Sequence, residues 1–271
     1  MRQLKYVPVW LIVAFDVAVL AWMVLSSFKS AREIFASPFG LPATWQLDNW
    51  VRAWEVSEFG PAILRTVVVV AATAAGTVLI AAPAAYALSR FKTRTSGPLT
   101  AMFAMGLGIP IQAIMLPLFV AMSQLGLVNS IGGLIVVYIA TSIPFAVFFL
   151  TAFFRSLPGD LEEAAAIDGA TPFRTFWQIM LPLARSGLVT LIILNVIGHW
   201  SEGLLALIFL QDPTQQTLSL ALLNFMTRVQ YSGADWGGLF AAIGIVILPL
   251  LLIYIWLGRR IIEGMTLGSS K

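Results

Sequence analysis

Six long apolar stretches constrain this chain more than any other feature of its sequence. They cover about residues 8–28, 62–88, 98–122, 131–154, 188–210 and 238–257. Each can cross a bilayer, because a transmembrane helix needs about 20 mostly apolar residues. Membrane β-strands are about ten residues long and alternate in polarity, and these stretches do neither. The sequence therefore predicts an all-α, polytopic membrane bundle of about six transmembrane helices, in a single domain over residues 1–271.

Composition excludes several other classes of protein. Only 11% of the residues are charged and 59% are hydrophobic, whereas a soluble domain has about 25% charged residues. Without cysteine, the chain forms no disulfide or zinc–thiolate site, and one histidine leaves little material for metal binding. The formal net charge of +3 is too small to indicate a nucleic-acid partner. We expect membrane lipid as the surroundings and no bound metal.

The distribution of Lys and Arg predicts the orientation in the membrane. The first apolar stretch is too long for a signal peptide, so we interpret it as a retained helix. With the N-terminus inside, eleven of the sixteen basic residues are cytoplasmic and five are outside. The cytoplasmic set is Arg2, Lys5, Arg90, Lys92, Arg94, Arg155, Arg174, Arg185, Arg259, Arg260 and Lys271, and the outer set is Lys29, Arg32, Arg52, Arg65 and Arg228. We expect a multi-pass protein of the cytoplasmic (inner) membrane with both termini in the cytoplasm.

A tryptophan-rich segment follows the first apolar stretch on the predicted outer side. It contains Trp45, Trp50 and Trp54, and Asp48 is a candidate N-cap for a short helix. Tryptophan is common at the headgroup layer of membranes. We interpret the segment as an interfacial helix.

Polar residues inside the fifth stretch are candidates for function. Asn195, His199 and Glu202 are spaced four and three residues apart, so in one helix they share a face. Ionisable groups at membrane depth are costly and usually face a partner or a cavity. Three roles stay open: hydrogen bonds that hold helices together, lining of a solute path, and ion or proton coupling.

Three other intramembrane polar residues are single. Gln112 lies between Pro110 and Pro117, and its amide is a candidate for solute contact, as is that of Asn224. For Asp16 in the first stretch we expect a buried hydrogen bond.

The longest polar connection on the predicted cytoplasmic side covers residues 155–187. Asp160 is a candidate N-cap for a helix over Leu161–Ile167, and Gly169 permits a sharp turn. Pro172 can begin a second helix over about 172–180. That helix would present Phe173, Phe176, Trp177 and Met180 on one face. The helix–turn–helix either folds back onto the bundle or inserts into a groove of a partner.

Within this connection the sequence resembles a known protein family. Glu163, Ala164 and Ala165, then Gly169, then Ile179, Met180, Leu181 and Pro182 resemble the coupling-loop signature of permease subunits of binding-protein-dependent, ATP-driven importers. The similarity covers nearly the whole chain and is strongest to maltose-type carbohydrate permeases. Supporting segments are 45–50, 85–90, 125–129 and 264–271. The chain departs from the family pattern at Arg65, Thr66 and Ser186.

The resemblance implies a division of labour between subunits. It implies a second homologous permease subunit, two copies of a cytosolic ATPase subunit that use ATP and Mg, and an extracytoplasmic substrate-binding protein. This chain would move a carbohydrate by alternating access, without being an enzyme and without a cofactor of its own. The absence of a Gly-Lys dipeptide agrees, because the phosphate-binding loop GxxxxGK[ST] cannot then be present.

By the same resemblance, the signature residues would couple this chain to the ATPase. Glu163 would make a charge contact with it, and Gly169 would supply the turn between the two short helices. Asn195, His199, Glu202 and Gln112 are the candidates for the substrate path.

Two other functions remain possible from the sequence. An ion-coupled secondary transporter would use Asp16, His199 and Glu202, and it would be expected to carry an inverted repeat, which the sequence does not display. A membrane-embedded enzyme would need a nucleophile–base pair or a metal cluster. One histidine and no cysteine supply poor material for either.

Overall fold

The computed structural model of this chain describes residues 6–91, 93–232 and 235–266, and within them it consists of helices joined by turns and loops. No strand occurs within those ranges, and this confirms the all-α fold class. The basic residues Arg2, Lys5, Lys92 and Lys271, and the end of the family-like segment 264–271, lie outside the described residues. The helices are, in order, α1 (Val7–Ser26), α2 (Ala31–Ala36), α3 (Asp48–Val56), α4 (Phe59–Arg90), α5 (Ser96–Gly106), α6 (Ile111–Gln124), α7 (Ile131–Ser156), α8 (Asp160–Ile167), α9 (Pro172–Thr175), α10 (Leu181–Leu183), α11 (Arg185–Trp200), α12 (Leu204–Phe209), α13 (Leu218–Ser232) and α14 (Trp236–Thr266).

Four of these helices are long and apolar enough to cross a membrane alone. They are α1, α4, α7 and the portion Trp236–Trp256 of α14. Two further pairs of helices qualify only together, and each pair is bent at a short break, so that the candidate spans number up to six. The polytopic helical bundle predicted from the apolar stretches is therefore confirmed, with the added feature that some of its spans are broken.

The third apolar stretch, over residues 98–122, contains two helices instead of one. α5 and α6 meet at an angle of 101° across the break at 107–110. Pro110 ends this break in an extended conformation, with ψ at 134°, and it cannot donate a backbone hydrogen bond. Pro117 lies inside α6, which continues through it. The sharp bend therefore lies before α6 and not at its internal proline.

The fifth apolar stretch, over residues 188–210, is also broken. α11 ends at Trp200 and α12 begins at Leu204, with Ser201 as the C-terminal cap of α11. A second bend, of 70°, separates the helical segment Pro172–Leu183 from α11. Glu202 therefore lies in a break between helices, and the prediction that it shares a helical face with Asn195 and His199 is wrong.

The contacts divide the chain into two compact units, one formed by residues up to 63 with 217–251 and the other by residues 64–216 with those from 252 onward. In the first unit, Asn49 ties α3 to the end of α1. Its side-chain Nδ2 donates to the carbonyl oxygens of Ser27, at 2.8 Å, and Lys29, at 3.0 Å. Asn49 is buried, and these bonds pair two carbonyls that no helix satisfies.

The tryptophan-rich segment of the first unit forms the short helix predicted for it, but Asp48 is not the cap. α3 begins at Asp48, and Leu47 is the N-cap residue. Trp45 and Trp54 are exposed, whereas Trp50 donates from its ring nitrogen to the Ser27 hydroxyl, at 3.1 Å. One of the three tryptophans is thus a packing residue.

The second unit is built around one apolar cluster, which we call the α4–α7–α11 core. It joins these three helices to the segment between α9 and α11. Small residues of α4 allow close packing of helices, as is common in membranes. The buried members of the core are Ala81, Ala82, Ala85, Tyr86, Ala146, Val147, Leu150, Phe153, Phe154, Phe176, Met180, Ala184 and Leu191.

Gly187 of α11 packs closely against α7. A Cβ at this position would lie 2.7 Å from two ring atoms of Phe153, which is itself buried. We expect Gly187→Ala to lower the free energy of unfolding by about 1–3 kcal/mol through overpacking, although alanine favours the helix itself. Thermal unfolding in detergent measures this.

Gly198 of the same helix provides the matched control, because no atom lies within 4 Å of a Cβ built there. Gly198→Ala should unfold at or above the wild-type temperature. Equal stability of both variants would contradict the packing of α11 on Phe153.

Candidate functional site

The polar connection after α7 forms the helix–turn–helix that the sequence predicts, with a one-residue shift at its start. α8 begins at Asp160, so Gly159 and not Asp160 is the N-cap residue. Asp160, Glu162 and Glu163 all lie in the first turn of α8, where negative charge stabilises the helix dipole. Gly169 has φ at +76°, a left-handed conformation that favours glycine. We call residues 160–183 the coupling hairpin.

The second arm of the coupling hairpin is not a single α-helix. Thr171 caps α9 by accepting a hydrogen bond from the backbone N–H of Arg174, at 3.3 Å, and α9 ends after one turn. A π-helix follows over Phe176–Met180, in which the N–H of Leu181 donates to the Phe176 carbonyl. Pro182 has no N–H, so the carbonyl four residues before it has no helical donor, which fits a wider turn at this place.

The four apolar residues predicted to share one face are divided between two environments. Phe176 and Met180 are buried in the α4–α7–α11 core. Phe173 is 74% exposed and Trp177 is 44% exposed. The π-helix changes the number of residues per turn, which is one reason why regular α-helical spacing does not describe this arm. Part of the arm thus folds back onto the bundle, and part of it remains free for a partner.

The signature residues show a similar division. Glu163, Ala164 and Pro182 are exposed, and Ala165 is buried. Ile179 and Leu181 are half-buried against the core. The signature therefore combines residues that hold the coupling hairpin on the bundle with residues that the hairpin presents outward.

Three polar residues that the sequence analysis did not assign to the site meet at the base of the coupling hairpin. Glu162 accepts a hydrogen bond from the Tyr86 hydroxyl, at 2.6 Å, and its other carboxylate oxygen lies 2.7 Å from Nε of Arg90. Arg90 also donates from Nη2 to the carbonyl of Leu157, at 3.0 Å. We call Tyr86, Arg90 and Glu162 the Glu162 cluster. The signals in the sequence are the four-residue spacing of Tyr86 and Arg90 at the end of α4 and their place in the family-like segment 85–90.

A second polar cluster lies among the apolar helices. The ring of His199 stacks on Tyr138, with centroids 4.5 Å apart, and its Nε2 lies 2.9 Å from the Ser142 hydroxyl. The Tyr138 hydroxyl donates to Glu202. Glu202 also accepts from the backbone N–H groups of Leu205 and Ala206, at 2.8 and 3.2 Å. Glu202 therefore caps α12 and joins it to α7.

Asn195 and His199 line a cavity of about 200 Å³ together with Ser142, Phe145 and Leu194. Asn195 donates to the Leu191 carbonyl, at 3.0 Å. Its own Oδ1 and Nδ1 of His199 are buried and make no hydrogen bond to any described residue. A buried polar atom without a partner is costly, so these two atoms mark a place where a bound group or another conformation would be favoured.

The other predicted polar residues are not brought to this cavity. Gln112 is exposed at the start of α6 and is not among the cavity-lining residues. Asp16 is exposed on α1, which is little buried within the chain, so the expected buried hydrogen bond is wrong. Within the described ranges, no three His, Asp or Glu residues are close enough to form a metal site.

Comparison with known proteins supplies a family for this arrangement. The family model described as "binding-protein-dependent transport system inner membrane component" matches residues 77–266. This region includes the coupling hairpin and both polar clusters.

Individual relatives extend the match to most of the chain. The diacetylchitobiose uptake system permease protein of Streptomyces coelicolor is 38% identical, over 93% of this chain and 83% of the relative. The trehalose transport system permease protein of Mycobacterium tuberculosis is 31% identical, over 96% of this chain and 94% of the relative.

A solved structure with a similar fold is that of a bacterial ABC transporter involved in the import of the acidic polysaccharide alginate. One of its chains matches with a TM-score of 0.78 and 21% identity, over 95% of this chain and 96% of that chain. At this level of identity, the similarity concerns the fold alone.

The bonds of Glu202 predict a large effect on stability. Glu202→Leu leaves two backbone N–H groups and the Tyr138 hydroxyl without an acceptor, and each unpaired buried group costs about 1–3 kcal/mol. Tyr138→Phe removes only one of these bonds, so we expect a smaller loss. Measured in detergent, the unfolding temperature should be highest for wild type, lower for Tyr138→Phe and lowest for Glu202→Leu.

Ser201→Ala is the control, because this neighbouring hydroxyl is exposed and bonds only within α11. It should unfold close to wild type. A Glu202→Leu variant as stable as Ser201→Ala would show that Glu202 does not cap α12.

Proposed function

Since this chain belongs to the family of binding-protein-dependent transport system inner-membrane components, we propose that it carries a carbohydrate across the cytoplasmic membrane by alternating access. Membership confirms the resemblance inferred from the coupling-loop signature. The chain is a permease subunit of an ATP-binding-cassette importer and has no catalytic activity of its own. Its family works with an ATPase subunit and a substrate-binding protein, and the ion-coupled transporter considered above is not favoured.

The carbohydrate substrate is the part of the proposal that depends on the relatives. Two of them, from different organisms, are permeases for diacetylchitobiose and trehalose. The cavity beside Asn195 and His199 offers amide, imidazole and hydroxyl hydrogen-bonding groups with the aromatic ring of Phe145, and among the described residues its lining includes no carboxylate, lysine or arginine. Neutral polar groups and an aromatic surface suit an uncharged, polyhydroxylated solute better than an ion.

The outward side of the coupling hairpin is the proposed contact with the ATPase. Glu163 and Ala164 are exposed at the start of α8, and Phe173 and Trp177 are exposed on the second arm. Phe173 and Trp177 lie outside the six apolar stretches of the sequence, and large apolar side chains exposed at such a place are typical of a surface that binds a partner. We place Glu163 against a basic group of the ATPase, with Phe173 and Trp177 in its cleft.

The assembly that we propose contains two permease subunits and two copies of the ATPase subunit. ATP and Mg bind to the ATPase subunits, and this chain binds no cofactor. The bias of basic residues toward one side supports a cytoplasmic location for both termini and for the coupling hairpin. The substrate-binding protein then delivers its ligand from the opposite side.

The substrate path that we propose includes fewer of the residues that the sequence suggested. Asn195 and His199 line the cavity, and Ser142 joins them through its bond to His199. The Glu202 carboxylate is already used by Tyr138 and by two N–H groups of α12. Glu202 would therefore contact solute only after a rearrangement, and we assign it to holding the path in shape. Gln112 is exposed on α6 and is not among the residues that line the cavity.

Two substitutions test the coupling hairpin. Glu163→Lys reverses an exposed charge, and Gly169→Pro requires φ near −65° where the chain has +76°. We expect each variant to insert in the membrane but to lose stimulation of the ATPase and solute uptake at least about tenfold, within the usual range of coupling between sites. Reconstituted vesicles with all subunits give both rates.

Glu55→Lys serves as the charge-reversal control, because Glu55 is exposed on α3 and not on the coupling hairpin. It should retain binding of the ATPase subunit. Normal uptake and ATPase stimulation by both hairpin variants would contradict the assignment.

The substrate class is tested through the binding protein. We expect purified complexes to retain a binding protein whose bound ligand, released by denaturation, is a neutral oligosaccharide or polyol. Uptake of that ligand into vesicles should require ATP on the side of the membrane that carries the ATPase. Ionophores should not reduce it. Uptake driven by an ion gradient without ATP would overturn the proposal.

A further inference from the structure

The Glu162 cluster ties the coupling hairpin to a helix that is distant in sequence. The hairpin is covalently continuous with α7 on one side and with α11 on the other. Glu162 instead contacts Tyr86 and Arg90 at the end of α4, although Tyr86 and Glu162 are 76 positions apart in the sequence. We propose that this cluster positions the last turn of α4, so that it moves with α8 when the ATPase moves the coupling hairpin. This inference rests on the proposed coupling function.

The geometry of the carboxylate supports a specific connection. One oxygen of Glu162 accepts from the Tyr86 hydroxyl and the other faces Nε of Arg90. Both charged side chains are about four-fifths buried, with 17% and 20% of their surface exposed. Ion pairs shielded from water are screened less than surface pairs. Arg90 Nε makes no hydrogen bond to any described residue, so its contact with Glu162 is an ion pair only. The hydrogen bond from the Tyr86 hydroxyl to the charged carboxylate fixes direction as well as distance.

A second contact makes the connection stiff. The Tyr86 ring lies 5.1 Å from Phe176 of the second hairpin arm and 5.6 Å from Phe154 of α7. The same tyrosine therefore contacts α8 through its hydroxyl and the π-helix through its ring. Because both arms of the hairpin are held to one turn of α4, the hairpin and that turn can move as one body.

The sequence of α4 provides a place where such a movement can be absorbed. Pro83 lies inside α4, three residues before Tyr86. Proline removes the hydrogen bond to the carbonyl four residues earlier and weakens the helix at that point. We infer that the segment after Pro83 follows α8, while the apolar part of α4 before Pro83 remains packed.

Neighbouring Glu163 separates this role from binding of the ATPase. Glu163 is exposed and free to meet a partner subunit, whereas the Glu162 carboxylate is occupied within the chain. Loss of Glu163 should thus reduce binding of the ATPase. Loss of Glu162 should leave binding intact and reduce the transport obtained from each hydrolysis.

The test uses the whole importer in vesicles, with its partner permease, ATPase and binding protein, and measures solute imported per ATP hydrolysed. Glu162→Gln and Arg90→Gln should each lower this ratio at least about fivefold, the lower end of typical coupling between sites. The doubly swapped variant, Arg90→Glu with Glu162→Arg, should recover at least half of the loss, because the opposite charges are again paired.

Arg155→Gln is the matched control. It removes a cationic side chain at the same end of the bundle, and among the described residues its guanidinium makes one long contact, with the Leu88 carbonyl at 3.5 Å. This variant should import as much solute per ATP as wild type. Co-purification of the ATPase and the unfolding temperature of each variant are recorded alongside, so that loss of assembly is separated from loss of coupling.

Two outcomes would overturn the inference. In the first, Glu162→Gln and Arg90→Gln keep the wild-type ratio, whatever their stability. In the second, the swapped variant is no better than the worse single variant although it assembles with the ATPase. Failure of the proposed function itself looks different, because the wild-type complex would then import no carbohydrate with ATP.

Discussion

Backbone polar groups have no water to bond with in the hydrocarbon region, so every break in a transmembrane helix must be satisfied by the protein. This constraint determines how the intramembrane acid of this chain is used. Where the fifth apolar stretch breaks, the carboxylate of Glu202 accepts hydrogen bonds from two backbone N–H groups of α12 and from the hydroxyl of Tyr138. A group that looks like a titratable site in the sequence is therefore first of all a cap. Its neighbours Asn195 and His199 keep buried atoms that bond to no described residue, and these two residues are the ones that we propose for the solute path.

A different constraint, the small size of the hairpin, explains why the coupling hairpin has two sides. Outside the apolar spans the hairpin is too small to have a core of its own, so it uses that of the bundle. Phe176 and Met180 supply that contact, and Glu162 adds a polar one. The residues that remain, Glu163 and Trp177 among them, are exposed because the hairpin has no further surface to cover them. A permease that must receive movement from a separate motor needs both sides, one fixed to the bundle and one free to bind.

Much of the fold could be predicted from the apolar stretches, but less of the candidate site. The turn at Gly169 follows from the permissive backbone of glycine, and the structure has it there. Asp48 and Asp160 were predicted as N-caps, but each is the first residue of its helix. The prediction was wrong by one residue because an acidic side chain is favourable in the first turn whether it caps the helix or follows the cap. The face predicted for Phe173, Phe176, Trp177 and Met180 failed for a different reason, since a π-helix does not keep the period of 3.6 residues.

The sequence by itself determined that this is a helical membrane protein with a polar helix–turn–helix and the signature of an importer permease. The length, apolarity and spacing of residues are local properties that can be read from the sequence. A bilayer allows few structures for long apolar segments, because their backbone polar groups must be paired inside the protein. Only the tertiary structure decided which of two adjacent acids, Glu162 and Glu163, is held within the chain. That choice depends on where α4 ends relative to α8, a contact between segments 76 positions apart that no local pattern encodes. The tertiary structure likewise decided that Glu202 lies in the break before α12 and not on the helical face of Asn195 and His199. That break is stable only with a side chain that caps α12.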